Sequence, residues 1–538
     1  MAMDVAKLID AGQATLGIEL GSTRIKSVLI DQNGTLLFCG SYTWENRWEK
    51  GIWTYRMEDV ITGLQSSYAD LARQVRESCG VTLRSLRAIG ISGMMHGYLP
   101  FDGAGGLLTP FRTWRNTMTA QASHVLGQRF HFHIPQRWSI AHLGQAMLAR
   151  EAHVESIRSL TTLAGYVHRL LSGEFVIGIC EASGMFPVDP KTKTYDAAMV
   201  AAFEDFAKEN GYGIDLKSML PRVLRAGEPA GVLSEAGAAL LDPTGNLLAG
   251  IPMCPPEGDG GTGMVATNSV RPGTGNVSAG TSIFGMAVLD QPLRGVYEEL
   301  DVLSTPAGSP VVMVHCNNGT GEIDAWVSCF EQLSHACGIS LTKTQIYDAL
   351  YHAALEPSAG DMVVYNYLSG EHMTNVEQGV PLLMRAPGAV LDLPGFARAL
   401  LYSTLATLRM GMDLLREQEA VRLTSMSAHG GLYKIPAVGQ KITAAALRSP
   451  VTVMETAGEG GAWGMALLAL YMADRGENES LEEYLETRIF ATCRKRVEAV
   501  DDALADDFDR YMTAFRQGLA TERGAIAAFS LGKEPSKT

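Results

Sequence analysis

GIELGSTRIK at residues 17–26 and GNVSAGTSIFG at residues 275–285 are the segments that decide the fold class. In each segment apolar, β-prone residues flank a short turn with glycine and hydroxyl side chains, which predicts a β-hairpin. Glycine lets the backbone approach a ligand, and successive N–H groups at such a turn form a concavity that binds anions. One such hairpin is typical of an ordinary turn. Its repetition in the second half of the chain predicts a nucleoside triphosphate held between two lobes.

The order of elements around the first hairpin is that of an α/β fold. TLGIEL at residues 15–20 and RIKSVLID at residues 24–31 predict the hairpin strands, and TLLFCGSY at residues 35–42 predicts a third strand. Apolar residues at helical spacing predict a helix over residues 57–78, and RAIGISG at residues 87–93 predicts the next strand. With 538 residues, 46% of them hydrophobic, the chain is long enough for two domains.

Charge and cysteine usage exclude several classes of protein. The net charge is −14 and no run of Lys or Arg occurs, so we expect no nucleic-acid partner. The eight cysteines form no CxxC pair, and neither a zinc site nor a disulfide framework is indicated. The N-terminus lacks the pattern of a signal peptide, and the apolar stretch at residues 462–473 is too short to span a bilayer. We therefore expect a cytoplasmic protein with no membrane partner.

Turn-rich and glycine-rich segments organise the second half of the chain. NSVRPGTG at residues 268–275 predicts a domain boundary. A long amphipathic helix is predicted over residues 396–415, and AHGGLYK at residues 428–434 and GEGGAWGMALLALY at residues 458–471 follow it. Glycines in these two segments could admit a flat adenine, although a strand-to-helix turn explains them equally well. Beyond residue 530 we expect a frayed tail.

Four motifs in this order resemble those of the FGGY family of carbohydrate kinases, over about residues 15–475. The two hairpins resemble the phosphate-1 and phosphate-2 motifs of the family, and NYLSGEH at residues 366–372 resembles its YLSGER segment. AHGGLYK resembles its adenosine motif. The resemblance is nearest to the xylulokinase (pentulose kinase) branch. It implies an α/β fold with two actin-like (ribonuclease H-like) ATPase lobes and an interlobe cleft.

The resemblance also implies a division of the chain and a set of nucleotide-binding positions. The divisions are an N-terminal extension at 1–14, a sugar-binding lobe with the phosphate-1 hairpin at 15–269, a lobe with the phosphate-2 and adenosine motifs at 270–480, and a helical extension and tail at 481–538. The implied ATP-binding residues are Gly21, Ser22, Thr23, Lys26, Gly280, Thr281, Ser282, Gly321, Gly430 and Gly431. For two of them the local sequence has an equally good structural explanation. Lys26 is typical of a solvated strand residue, and Gly321 is typical of a helix start.

The loop PPEGDGG at residues 255–261 carries the implied catalytic residue. Asp259 occupies the position of the family's catalytic aspartate, which accepts the proton of the attacking hydroxyl; locally, an Asp-Gly pair is also typical of a turn. The resemblance implies ATP and Mg²⁺ as cofactors, with Asp259 and Glu19 as metal ligands. Glu19 stands where the family has aspartate. Its additional methylene moves the carboxylate outward by about 1.5 Å, which suggests contact with the metal through water.

Two segments are implied to contact the sugar. ISGMMHGYLPFD at residues 91–102 resembles the xylulokinase segment in which a Met-His pair contacts the ketose, so Met95 and His96 are the expected counterparts. TWRNTM at residues 113–118 departs from the Trp-Asn-Asp-x-Arg pattern of that branch. Trp114 and Arg115 remain candidates for sugar contact, and a structural role for the tryptophan is equally compatible with the sequence.

The resemblance therefore implies a carbohydrate kinase, a phosphotransferase with an alcohol group as acceptor. The expected reaction transfers the γ-phosphate of ATP to a terminal hydroxyl of a ketopentose such as xylulose or ribulose. The alternatives are a kinase of a polyol or a sugar acid, or a catalytically weak actin-like sensor of sugar and nucleotide. The sequence leaves open whether the protein forms a homodimer.

Overall fold

Two mixed β-sheets, one in each half of the chain, form the framework of the protein. The computed structural model describes residues 2–358, 360–458 and 460–530, so the expected frayed tail lies outside the described residues. The sheet of the first lobe has five strands, in the order Glu257–Gly258, Ala88–Gly93, Thr15–Leu20, Arg24–Ile30 and Leu36–Thr43. The first three of these run parallel, and the last three form an antiparallel meander, made of the hairpin strands and the third strand that the sequence predicts.

Helices cover both faces of this first sheet, which explains why its central strand is buried along almost its whole length. Helix Met57–Cys79 packs on one face, where Ser67 and Ser27 share a hydrogen bond of 2.9 Å. The core helix Gly460–Asp474 packs on the other face. It approaches so closely that a Cβ on Gly17 would lie 2.2 Å from the carbonyl oxygen of Ala462, and only glycine fits at this position.

The second lobe is built on a seven-stranded sheet that contains the second hairpin. Its strand order is Leu300–Ser304, Pro310–Cys316, Ile283–Val288, Thr274–Ala279, Ser425–Gly430, Val451–Met454 and Lys495–Glu498. The long helix predicted over residues 396–415 extends over Leu393–Gln418 and packs on this sheet. Helix Asp502–Ser530 completes the core of the lobe through Phe508, Met512 and Phe515.

Two helices connect the lobes. The linking helix Asp259–Ala266 starts directly after the edge strand of the first sheet and leads towards the second hairpin. It packs against the core helix, which lies in the chain between two strands of the second sheet, Val451–Met454 and Lys495–Glu498. Both helices therefore lie at the junction of the two lobes.

Most of the remaining elements lie in an insertion between strands Ala88–Gly93 and Glu257–Gly258 of the first sheet. The helices in that insertion are Ala120–Phe130, Ser139–Leu148, Leu163–Ser172, Ile179–Ser183, Ala197–Glu209, Leu216–Met219 and Glu235–Leu241. The other helices are Ala2–Asp10, Gly321–Ala336, Lys343–Ala353, Val438–Leu447 and Leu481–Tyr484. Short two-stranded pairs are Arg47–Glu49 with Ile52–Thr54, Leu99–Phe101 with Ser159–Thr161, Val176–Gly178 with Arg222–Leu224, Val188–Asp189 with Thr194–Tyr195, and Met362–Tyr365 with Leu382–Arg385. Across the described ranges, no helix is long and apolar enough to cross a membrane.

A buried histidine in the insertion gives the stability a dependence on pH. His142 lies in helix Ser139–Leu148 and is fully buried, and neither of its ring nitrogens has a hydrogen-bond partner among the described residues. Burial, together with the nearby Arg112, lowers the pKa of His142 to about 3. The unfolded chain binds a proton at this residue below about pH 6.5, whereas the folded protein does not bind it until the pH is much lower.

We therefore expect His142 to destabilise the folded protein as the pH falls from about 6.5, by up to about 1.4 kcal/mol per pH unit. His142→Phe keeps an aromatic ring and removes the titrating group. The melting temperature of the variant is expected to fall less than that of the parent protein between about pH 6.5 and about pH 5. Equal slopes of melting temperature against pH would contradict this role of His142.

Candidate functional site

Asp259 lies at the first position of the linking helix, where two parallel strands of the first sheet end side by side. Its Oδ1 accepts hydrogen bonds from the backbone N–H groups of Gly260, at 2.9 Å, and Met95, at 3.3 Å. Asp259 is exposed to solvent, but enough protein atoms surround its carboxylate to desolvate it. This desolvation raises the pKa of Asp259, and the two N–H donors oppose the rise. The position combines a fixed carboxylate with exposure to solvent.

Glu19 and Lys26 face each other across the first hairpin. The Glu19 carboxylate lies against Gly461 in the first turn of the core helix, where the absence of a side chain leaves room for it. Burial and the neighbouring Asp259 raise the pKa of Glu19 to about 7, while Lys26 and the backbone N–H of Ala462 oppose the rise. Glu19 and Asp259 are therefore close enough to repel each other, and Lys26 partly compensates their charge.

This carboxylate pair is of the kind that a Mg²⁺–nucleotide complex uses. Within residues 2–358, 360–458 and 460–530, no group of three or more His, Cys, Asp or Glu side chains is placed to hold a metal ion by itself. Mg²⁺ commonly takes only one or two carboxylates and completes its shell with water and phosphate oxygens. The mutual repulsion of Glu19 and Asp259 is what a cation between them would relieve. Both residues therefore fit the metal role expected from the sequence.

The second hairpin ends in a turn whose carbonyl groups accept hydrogen bonds from a neighbouring loop at residues 319–320, here called the supporting loop. The carbonyl oxygen of Gly280 accepts a hydrogen bond from Thr320 N at 2.9 Å, and that of Thr281 accepts one from Gly319 N at 2.8 Å. In a trans peptide the C=O and the following N–H point in opposite directions. The N–H groups of Thr281 and Ser282 therefore point away from the supporting loop, and neither donates a hydrogen bond in the part of the chain that the structure describes. Two adjacent donors are thus presented for an anion.

The other expected nucleotide residues of the second lobe lie beside this turn. Gly430 pairs with Ala279, the last strand residue before the turn, and has a φ of 108°. A Cβ on Gly430 would lie 2.3 Å from the Ala279 carbonyl oxygen, so glycine is required here. Gly431 follows directly, and Gly321 begins the helix after the supporting loop. The structure thus brings all the expected nucleotide-binding residues of this lobe together.

The first hairpin ends in a similar turn. Ser22 and Thr23 are exposed at its tip, and among the described residues no acceptor is present for the N–H group of either. They line a groove of about 350 Å³ with Trp114 and Arg115. The walls of this groove include neither Met95 nor His96. The two segments expected to contact sugar are nevertheless neighbours in the first lobe, because Tyr98 pairs with Arg112, the residue directly before Thr113.

Met95 and His96 are both buried, and Met95 contacts the start of the linking helix through Asp259. Burial and Arg137 lower the pKa of His96 to about 3, so the imidazole is neutral at physiological pH. Its Nδ1 lies 3.0 Å from the carbonyl oxygen of Gly184, and therefore Nδ1 carries the proton. The Nε2 atom is left as an acceptor, suited to a hydroxyl group.

Trp114 and Arg115 project from a loop that is fixed by Asn116. The Asn116 amide accepts a hydrogen bond from Trp53 N at 2.9 Å and donates to the carbonyl oxygens of Trp53, at 2.8 Å, and Thr113, at 2.9 Å. The Arg115 guanidinium stacks over the Trp53 ring at 4.0 Å. The departure from the xylulokinase pattern at Asn116 therefore serves the conformation of the loop.

An ion-pair network next to His96 was not foreseen from the sequence. Arg137 in the first lobe forms a salt bridge with the buried Asp301 in the sheet of the second lobe, and His133 lies 3.5 Å from the same carboxylate. Burial alone would raise the pKa of Asp301, but Arg137 and His133 hold it below its usual range. Partners 164 positions apart leave no local signal in the sequence.

Two buried carboxyl groups behind Asp259 were also missed. Glu257 accepts a hydrogen bond from Glu181 N at 2.9 Å, and burial raises its pKa to about 8. Glu181 is fully buried, and burial raises its pKa well above the usual range. Glu257 stands in the loop with Asp259, which could have drawn attention to it, whereas nothing around Glu181 in the sequence marks it.

Two family models match most of the chain. The N-terminal domain of the FGGY family of carbohydrate kinases matches residues 14–265, and the C-terminal domain of that family matches residues 275–473. The xylulose kinase of Haemophilus influenzae is 23% identical over 434 residues, which cover 79% of this chain and 83% of that protein. The xylulose kinase of Lactococcus lactis is 19% identical over 445 residues, covering 79% and 81%.

Solved structures of similar shape cover almost the whole chain. A xylulose kinase from Lactobacillus acidophilus superposes with a TM-score of 0.75 at 17% identity, covering 96% of this chain and 98% of that one. A gluconate kinase from the same organism gives 0.74 at 16% identity, with the same coverage. A glycerol kinase from Plasmodium falciparum gives 0.73 at 13% identity, covering 95% and 98%.

These similarities confirm the α/β fold with two actin-like ATPase lobes that the sequence predicts. They also confirm a carbohydrate kinase, an enzyme that phosphorylates an alcohol group of a small sugar, and kinases of this family use ATP. The two hairpin segments, Asp259 at the start of the linking helix and the glycine motif next to the second hairpin all lie within the matched residues. The chain belongs to the FGGY family of carbohydrate kinases.

Proposed function

We propose that this chain transfers the γ-phosphate of ATP to a terminal hydroxyl of a ketopentose, xylulose-like or ribulose-like, with Asp259 as general base. The observation that carries the proposal is the position of Asp259 at the junction of the lobes. The side chains of Met95, from the first lobe, and Met286, from the second hairpin, both border the adjacent Gly260. A nucleotide held by the second hairpin and a sugar held beside Met95 would therefore meet at Asp259.

The chain supplies the groups that phosphoryl transfer requires. The raised pKa of Asp259 makes its carboxylate a better proton acceptor than an exposed aspartate, and its two backbone donors fix its orientation. The exposed N–H groups of both turns and the Lys26 ammonium are suited to phosphate oxygens. A Mg²⁺ ion held by Glu19 and Asp259 would neutralise charge on the phosphate oxygens.

The sugar side favours a neutral polyhydroxylated acceptor. His96 offers Nε2 as an acceptor for a hydroxyl group, and Met95 supplies an apolar wall. The guanidinium of Arg137, which lies near His96, is already paired with Asp301. A sugar acid would bring a further negative charge towards Asp259 and Glu19, which already repel each other. A ketose is therefore preferred over an acid, in agreement with the names of the curated relatives.

A panel of acceptors tests this proposal. We expect release of ADP with xylulose or ribulose, and less release with glycerol or gluconate. Glycerol and gluconate belong in the panel because gluconate and glycerol kinases share this fold. A preference for gluconate or a polyol would replace the ketopentose in the proposal. Sugar-dependent thermal stabilisation without any phosphorylated product would favour the sensor instead.

A further inference from the structure

Two aromatic side chains hold the turn of the first hairpin. The indole N–H of Trp44 donates to the carbonyl oxygen of Gly21 at 2.7 Å, and the hydroxyl of Tyr55 donates to that of Ser22 at 2.6 Å. The backbone N–H of Trp44 also donates to the carbonyl oxygen of Thr23 at 3.2 Å. Three consecutive carbonyl groups of the turn are therefore held from one side.

These bonds determine where the turn presents its donors. Each held carbonyl shares a trans peptide with the next N–H, which points the opposite way. Trp44 therefore orients the N–H of Ser22, and Tyr55 orients the N–H of Thr23. These are the two N–H groups that have no acceptor among the described residues. The supporting loop of the second lobe orients its turn by the same arrangement of bonds.

The two aromatic residues form a rigid support. Trp44 is 6% exposed and Tyr55 is 2% exposed, and their rings stack with centroids 4.1 Å apart and an interplanar angle of 28°. Buried rings in mutual contact have little conformational freedom left to lose, and their polar atoms are satisfied by the turn. Burial of the Tyr55 hydroxyl raises its pKa to about 12, so it remains a donor at any physiological pH.

We propose that Trp44 and Tyr55 are positioning residues that pre-organise the first turn for a nucleotide phosphate. This inference rests on the proposed function, since it takes the ligand of the turn to be a phosphate of ATP. It also links the nucleotide to the sugar side, because Trp44 and Tyr55 line the same groove as Trp114 and Arg115. A displacement of Trp44 and Tyr55 would therefore shift both the turn and the loop that carries Trp114 and Arg115.

Tyr55→Phe removes the hydroxyl and keeps the stacked ring. Loss of one hydrogen bond to a positioned carbonyl is expected to weaken ADP binding, measured by titration calorimetry, by about three- to tenfold. The KM for ATP rises and kcat falls, while the KM for the sugar changes less, because the affected atoms orient phosphate donors. Trp44→Phe tests the second bond and is expected to act in the same direction.

Tyr68→Phe is the matched control. Tyr68 lies in the same lobe and is buried, and its hydroxyl has no hydrogen-bond partner among the described residues. This variant is expected to bind ADP as the parent protein does. Unchanged ADP affinity in Tyr55→Phe, or an equal loss in Tyr68→Phe, would overturn the positioning role.

The same measurements separate this inference from the proposed function. A parent protein that binds ADP more tightly than Tyr55→Phe, yet forms no sugar phosphate, would support the positioning role and overturn the proposed reaction. A parent protein that phosphorylates sugar, with Tyr55→Phe unchanged, would leave the reaction standing and overturn the positioning role. A parent protein that binds no nucleotide would overturn both.

Discussion

Asp259→Ala is expected to abolish sugar-dependent release of ADP while nucleotide binding persists. The substitution removes the only carboxylate at the start of the linking helix, and with it the proposed acceptor of the hydroxyl proton. General-base catalysis commonly contributes 10²- to 10⁴-fold, so we expect kcat to fall by about 10³-fold or more, since the proposed metal site is damaged as well. Coupled assay of ADP with the preferred sugar measures the loss.

Two further variants make the Asp259 experiment specific. Asp259→Asn keeps the shape of the side chain and removes its basicity, so it should lose activity to a similar degree. Asp290→Ala removes an exposed aspartate after the second hairpin and should retain full turnover. ADP affinity, measured by calorimetry, should remain within a few-fold of the parent value in all three. Near-normal turnover of Asp259→Ala would refute the proposed base.

Gly319→Ala is expected to weaken nucleotide binding strongly, because it disturbs the loop that holds the second turn. A Cβ at this position would lie 2.2 Å from the carbonyl oxygen of Gly280, and the contact is with backbone that cannot turn away. The loop must retreat, which breaks the bond from Gly319 N to Thr281 and releases the turn. A cost of at least about 2 kcal/mol corresponds to about a 30-fold loss of ADP affinity.

Gly524→Ala is the control for this substitution. Gly524 lies in helix Asp502–Ser530 and has open space around it, so alanine there should leave ADP affinity unchanged and slightly raise the melting temperature. Calorimetry with ADP and thermal unfolding measure both variants. Gly319→Ala with unchanged affinity would show that the supporting loop does not determine the geometry of the second turn.

The local elements of the framework could be predicted from the sequence because their signals are local. Runs of apolar, β-prone residues on either side of a glycine turn located the strands of the first hairpin to within a residue. Periodicity located helix Met57–Cys79 and the long helix of the second lobe. The motif resemblance then supplied the architecture, which no single element could have indicated.

The parts that could not be predicted depend on contacts between distant residues. Trp44 and Tyr55 look like ordinary aromatic residues until the fold places them behind the turn at Gly21. The salt bridge between Arg137 and Asp301 joins the two lobes, and periodicity within one element carries no information about it. Neither the turn donors nor the sugar side can therefore be understood from the motifs alone.

Glu19 illustrates how structure refines a motif. From the sequence, the additional methylene predicts contact with the metal through water. In the structure, the longer side chain reaches the first turn of the core helix, where the Ala462 N–H interacts with it, and it remains beside Asp259. Its position is therefore compatible both with capping the helix and with the expected role near a cation.

The most direct test of the proposed reaction is mass spectrometry of the acceptor after incubation with ATP and Mg²⁺. The proposed chemistry predicts a monophosphate of xylulose or ribulose, carrying the phosphoryl group on a terminal hydroxyl, formed by the parent protein and absent with Asp259→Ala. Formation of ADP and free phosphate without any phosphorylated sugar, or an equal yield of sugar phosphate from Asp259→Ala, would contradict it.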